Sequence, residues 1–259
     1  MTAAIHITSF IDASSRHLAM RCDLTKSKQT MHTDIIKKVL DYIKIAITYK
    51  ISVTEWPKKI LTVQGDLAKD EDCHRVVSET VAHFGQLDIL VNSAGILLSG
   101  GIETISMEDY DRQMNVNTRS PFLMTKLSLP HLLKTKGNIV NISSVTGTRA
   151  FPNVVSYCMS KAALDQLTRT VALEVAERGV RVNAVNPGVI VTECHKRGGM
   201  SEEAYAKFLE HGKSTHAMGR VGQVEEVASA VVFLASDQSS FITGVTLPVD
   251  GGRSIMCPR

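Results

Sequence analysis

Glycine is missing from the first quarter of the chain, where Gly65 is the first of 17. At ordinary usage of about 7%, roughly four would stand in a stretch of that length. Their absence excludes any turn there that needs positive φ or close approach of the main chain to a bound group. Long apolar runs are missing too. None approaches the roughly 18 residues of a membrane span, so no membrane partner is expected. The start has no basic segment followed by a long apolar core, which argues against a secretory signal. Arg16, Arg21 and nearby serines form a faint mitochondrial-transit pattern that Asp12 and Asp23 oppose, so a cytoplasmic protein is expected. The end, Met256-Cys257-Pro258-Arg259, is no peroxisomal address. A large excess of one charge is lacking, with 29 Lys/Arg against 26 Asp/Glu. With no basic patch or aromatic platform, no nucleic acid partner is expected. The five cysteines include no C-x-x-C pair and read as reduced thiols rather than a disulfide framework. The nine histidines form no close ligand set, since even His211 and His216 straddle a predicted helix end; no metal is expected.

What remains is an ordinary globular composition, 44% hydrophobic and 21% charged over 259 residues, enough for one domain of generous size. Charge is unevenly spread: residues 1–64 hold ten Lys/Arg against five Asp/Glu, and the other 195 residues hold 19 against 21. From Ile60 onward, short apolar runs alternate with longer helical periodicities. Strands are predicted over Ile60–Gln64, Asp88–Asn92, Asn138–Ile142, Val180–Val185 and Val245–Val249. Helices are predicted over Asp70–Phe84, Ser106–Lys136 (bent near Pro121 and Pro130), Ser156–Glu177, Ser201–His211 and Val224–Ala235. This alternation implies an α/β fold, a doubly wound, Rossmann-like parallel sheet with helices on both faces. Residues 1–59 obey other rules. Asp34–Ile43 reads as a short amphipathic helix. From Ile43 to Val53 every odd position is apolar, as in a strand with one wet face, and Glu55-Trp56-Pro57 ends it. The division is therefore an atypical segment 1–59 and a main domain 60–259.

Tyr157 and Lys161 stand four apart on a predicted helix and share a face. A free phenol ionises near pH 10; an ammonium beside it favours the phenolate and fits the pair to exchange protons with an alcohol or carbonyl oxygen. Taken alone, the pair reads more readily as surface neighbours. Ser144, thirteen residues upstream, follows the strand 138–142 and lies at the carboxyl end of the sheet, where open α/β sheets bind ligands. Asn92-Ser93-Ala94-Gly95 ends the strand before it, and Asn186-Pro187-Gly188 the strand after it. A turn-capping serine or an Asx turn explains each singly. Three successive strand ends presenting small or polar residues to one crevice make a site.

These motifs resemble the short-chain dehydrogenase/reductase family, in the branch similar to 3-oxoacyl-acyl-carrier-protein reductases. The resemblance rests on Asp66, Asn92-Ser93-Ala94-Gly95, Asn115-Val116-Asn117, Ile142-Ser143-Ser144, Tyr157-Cys158-Met159-Ser160-Lys161 and Asn186-Pro187-Gly188. It continues through Met218-Gly219-Arg220, Phe241–Gly244 and Val249-Asp250-Gly251-Gly252. It implies an NAD- or NADP-dependent oxidoreductase acting on a small carbonyl or alcohol. Tyr157 would be the acid/base and would also touch the cofactor, with Lys161 its pKa-lowering, ribose-binding neighbour. Ser144 would hold the substrate oxygen, and Asn117 would support a water-linked proton path. Asp66, Asn92, Ala94 and Gly95 would meet the adenosine side of the cofactor; Pro187, Gly188, Val189, Ile190 and Thr192 would line its nicotinamide end. The segment Glu193–Lys213 resembles the variable substrate lid, equally readable as an ordinary surface helix. Helices 117–136 and 156–177 resemble those that form homodimers and homotetramers.

One departure stands against this. The family begins with a strand and a Thr-Gly-x-x-x-Gly-x-Gly turn that lets the backbone approach the cofactor pyrophosphate. With no glycine before Gly65, that turn is absent in every register, and the ribose-reading position after the second strand goes with it. A catalytically inactive or cofactor-deficient relative is therefore the alternative expectation. The composition change near Trp56–Ile60 points to a junction, such as an alternative first exon or a misassigned gene start.

Overall fold

The computed structural model describes residues 61–257. Four strands, β1 (Ile89–Asn92), β2 (Asn138–Ile142), β3 (Arg181–Pro187) and β4 (Thr246–Val249), lie side by side in chain order. Every neighbouring pair is parallel, with Asn92 opposite Asn141 and Asn141 opposite Ala184. Parallel neighbours need crossovers, and helices supply them. α1 (Asp70–Phe84) precedes β1; α2 (Met107–Met114) and α3 (Ser120–Thr135) lead to β2. α4 (Val155–Val175) joins β2 to β3. The short α5 (Cys194–Arg197), α6 (Glu202–Ser214) and α7 (Val224–Ala235) fill the last crossover.

Side chains alternate across each strand, so the two faces of the sheet have separate cores. Ile89, Val91, Val140, Ile142 and Val185 pack against Val227, Val231 and Leu234 of α7. Leu90, Ile139 and Val182 point the other way, onto Val76 of α1, Met124 and Leu132 of α3, and Val175 of α4. A sheet covered on both faces has strands that are apolar throughout, and β1 and β2 are buried at every position. Helix ends are set locally. Ser106 and Ser201 cap α2 and α6 by accepting from the amides of Asp109 and Ala204, Gln223 and Glu226 form a capping box on α7, and Gly85 closes α1 with φ 81°.

The expected strand Ile60–Gln64 is described only from residue 61, and residues 61–64 form no ladder among the described residues, although Val63 is buried in the α1 core. The run Ser106–Lys136 is helical from Met107 to Thr135, with a π-helical turn over Asn115–Arg119 joining α2 to α3 just before Pro121. Pro121 is the physical reason for a break there: it has no N–H to give to the carbonyl four residues back, that of Asn117. Pro130, by contrast, lies inside α3 without ending it. The expected helix 34–43 and strand 43–53 lie outside the described residues. No helix among the described residues is long and apolar enough to cross a membrane.

Candidate active site

Because all four strands run the same way, their carboxyl ends share one edge, and a largely apolar cavity of about 440 Å³ opens there. Ser144, Tyr157 and Lys161 border it, together with Pro187, Gly188, Val189, Ile190 and Thr192. Ser144 leaves β2 and caps the following turn, its Oγ accepting from the Thr146 amide at 3.2 Å. Tyr157 and Lys161 project from the first turns of α4, with the Lys161 Nζ 5.6 Å from the phenol ring centroid. Gly188 is needed for close approach: a Cβ there would stand 2.8 Å from His216 Nε2 and 2.9 Å from the Asp250 Cα. His216 in turn accepts from the Val189 amide at 3.1 Å, fixing the loop that walls the cavity.

The electrostatics differ from the sequence expectation in one respect. Tyr157 opens onto the cavity but is otherwise deep in protein, and that burial pushes its phenol well above the ordinary value, with the Cys194 thiol adding to the rise. The Ser144 hydroxyl opposes the shift without reversing it. Burial also draws Lys161 down to about 8. Desolvation is thus the leading influence on both groups. Lys161 is only 2% exposed, and its Nζ donates to the Ile142 carbonyl at 2.8 Å.

The remaining candidates lie elsewhere. Asn117 sits on the π-helical turn behind the cavity, fully buried. Both its amide protons are spent, on the Ile96 carbonyl at 2.8 Å and the Ser160 hydroxyl at 3.0 Å, while its Oδ1 accepts from the Ile96 amide. Asn92 is likewise interior: it donates to Asn141 Oδ1 at 2.8 Å and to the Thr125 hydroxyl, and Asn141 donates onward to Thr168 of α4. This is a buried polar chain tying β1 and β2 to α3 and α4. Ala94 packs on the α1-side core, and Asp66 turns its Oδ1 to the Ala68 amide at the foot of α1. Neither they nor Gly95 borders the cavity. Phe151, Cys194, His195, Phe208, His211 and Arg253 do border it and were not singled out from the sequence as site residues. Those from Cys194 to His211 lie in the segment resembling a lid. Arg253 follows Asp250-Gly251-Gly252 directly, and that adjacency was the available signal.

A family model described as enoyl-(acyl carrier protein) reductase matches residues 39–254. The chain belongs to the short-chain dehydrogenase/reductase family. An uncharacterized oxidoreductase of Thermotoga maritima is 42% identical over 191 residues, 73% of this chain and 75% of that protein. A 3-oxoacyl-(acyl-carrier-protein) reductase of the same organism is 41% identical over 181 residues, 70% of this chain and 71% of that one. Among solved structures, a short-chain dehydrogenase/reductase of unknown function from Caenorhabditis elegans, determined with cofactor, superposes with a TM-score of 0.74 at 32% identity. It covers 85% of this chain and 83% of its own. The family match begins upstream of residue 60, within the segment whose composition departs from the rest. As a family member the chain is an NAD(P)-linked oxidoreductase of small molecules in its general chemistry.

Proposed function

We propose that this chain interconverts a carbonyl and a secondary alcohol on a small molecule, with NAD or NADP as hydride partner and Tyr157 as acid/base. The observation that carries the reading is the meeting of Ser144, Tyr157 and Lys161 with the 187–192 loop on one cavity. The residues suit a nicotinamide nucleotide. The Lys161 ammonium has three N–H donors, of which one is taken by the Ile142 carbonyl, leaving two for ribose hydroxyls. Gly188, Val189 and Ile190 offer an apolar wall for the nicotinamide end. When bound, the cofactor supplies the hydride donor or acceptor that no side chain provides.

The chain's own part is proton handling. A buried, protonated Tyr157 is poised to donate to the oxygen of a carbonyl as negative charge builds on it. Ser144 holds that oxygen. The phenolate left behind is stabilised by the Ser144 hydroxyl and the Lys161 ammonium. Asn117, whose carbonyl Pro121 cannot serve, is the place for a water that returns the proton.

Tyr157→Phe keeps the ring and removes the proton. It is expected to lower kcat/KM for carbonyl reduction by about 10²- to 10⁴-fold, with cofactor affinity little changed. Activity equal to wild type refutes the acid/base role. The alternative, a relative without cofactor chemistry, is favoured by one observation, the lack of glycine before Gly65. Fluorescence titration with NADH and NADPH separates the two: no binding at millimolar nucleotide overturns the enzymatic reading.

A further inference from the structure

Two cationic side chains border the cavity, and they are placed differently. Lys161 is enclosed, with its Nζ on the Ile142 carbonyl. Arg253 begins the turn after β4; its guanidinium lies 4.9 Å from the Phe151 ring centroid and donates to the Thr215 hydroxyl. Among the described residues no carboxylate stands within ion-pair reach of it. Asp250, the nearest acid to influence it, has its oxygens engaged by the amides of Gly252 at 3.0 Å and Ser254 at 2.7 Å. A guanidinium keeps its charge when half-buried, so Arg253 presents a fixed positive charge at the cavity. Beside it His195 meets Phe208 at a tilt, ring centroids 4.3 Å apart, with its Nδ1 buried and lacking a hydrogen-bond partner among the described residues. Burial and the Arg253 charge hold the His195 imidazole neutral, its pKa down at about 4.

We propose that Arg253 binds the carboxylate of the substrate, so that the compound oxidised or reduced beside Tyr157 is a small hydroxy or oxo acid with an apolar body. The substrate assignment rests on the hydride-transfer reading above; the anion site itself does not. One planar guanidinium matches one carboxylate through two parallel hydrogen bonds. A phosphate dianion would call for a second cation, and the other one here, Lys161, has one donor on the Ile142 carbonyl and its remaining two assigned to ribose. Apolar walls between Arg253 and Tyr157 suit a hydrocarbon stem.

The test is calorimetric binding of 3-hydroxybutyrate and 3-hydroxyhexanoate against their methyl esters, with and without NAD⁺ or NADP⁺. In wild type at least one acid is expected to bind about 10- to 100-fold tighter than its ester. In Arg253→Met that preference disappears, while Arg253→Lys, which keeps a charge without the fork, retains part of it. Equal affinity for acids and esters in wild type, no binding of either acid at about 10 mM, or a preference that survives Arg253→Met overturns the proposal. If Arg253→Met fails to fold, the wild-type and Arg253→Lys comparisons decide it. The same acids are then assayed as hydride donors. Acid-selective binding without turnover removes the oxidoreductase reading and leaves the anion site standing. Turnover of neutral alcohols without acid preference does the reverse.

Discussion

Lys161 pairs a buried ammonium with a single backbone partner, and the cost of that arrangement depends on pH. Its folded pKa is about 8 against an ordinary 10.5. Below about pH 8 both folded and unfolded chains hold the proton and the burial cost is felt in full. Between about 8 and 10.5 the folded chain has given up a proton that the unfolded chain keeps, so wild type gains stability as pH rises. Urea unfolding of wild type and Lys161→Met should therefore show a stability difference that moves in favour of wild type from pH 8 upward; a pH-independent difference would contradict the burial account. At this scale the sequence spoke clearly where function and helical spacing coincide, as at Tyr157 and Lys161. Asn92 and Asn117 mark what the sequence does not carry: a polar residue at a strand end or in a helical motif looks the same whether it faces a ligand or a buried neighbour. Arg253 was silent because its relation to Phe151, about a hundred residues away, exists only in three dimensions.

Among the elements, α6 is tied to the cavity wall through the Tyr205 phenol, beside the His195–Phe208 ring contact. Tyr205 donates to the Thr192 carbonyl at 2.7 Å and accepts from the Thr192 amide at 3.0 Å. Tyr205→Phe removes both bonds and leaves a buried amide and carbonyl unserved. A loss of about 1–3 kcal/mol is expected, with faster hydrogen exchange over residues 192–214 than over β1–β3. Uniform acceleration across the sheet would show instead that α6 is not a separately opening unit. The helices with strong periodicity were legible nearly to the residue, α1 and α7 at both ends. The apolar runs of β1, β2 and β3 were legible as buried parallel strands. What periodicity does not carry is the π-helical turn 115–119, which keeps a helical pattern of side chains while changing the hydrogen-bond ladder. Nor does an apolar run such as Leu61–Gln64 reveal whether another strand lies beside it.

For the molecule as a whole, the apolar side chains left outside are informative. On α4, Met159 is 47% and Leu173 84% exposed, about four turns apart on one side of the helix, and Phe122 of α3 is 54% exposed. We propose that these helices pair with those of a second copy. Light scattering should find wild type as a dimer or tetramer, and Leu173→Glu shifted toward monomer with its far-ultraviolet spectrum intact. A monomeric wild type at about 100 µM refutes the pairing. The shared edge of the four parallel strands carries a further consequence. The stretch between Thr192 and Thr215 walls one side of the cavity at that edge, so exchanging it for that of a relative should change which apolar body is preferred, while selection by Arg253 persists and the scaffold beneath unfolds at nearly the same temperature.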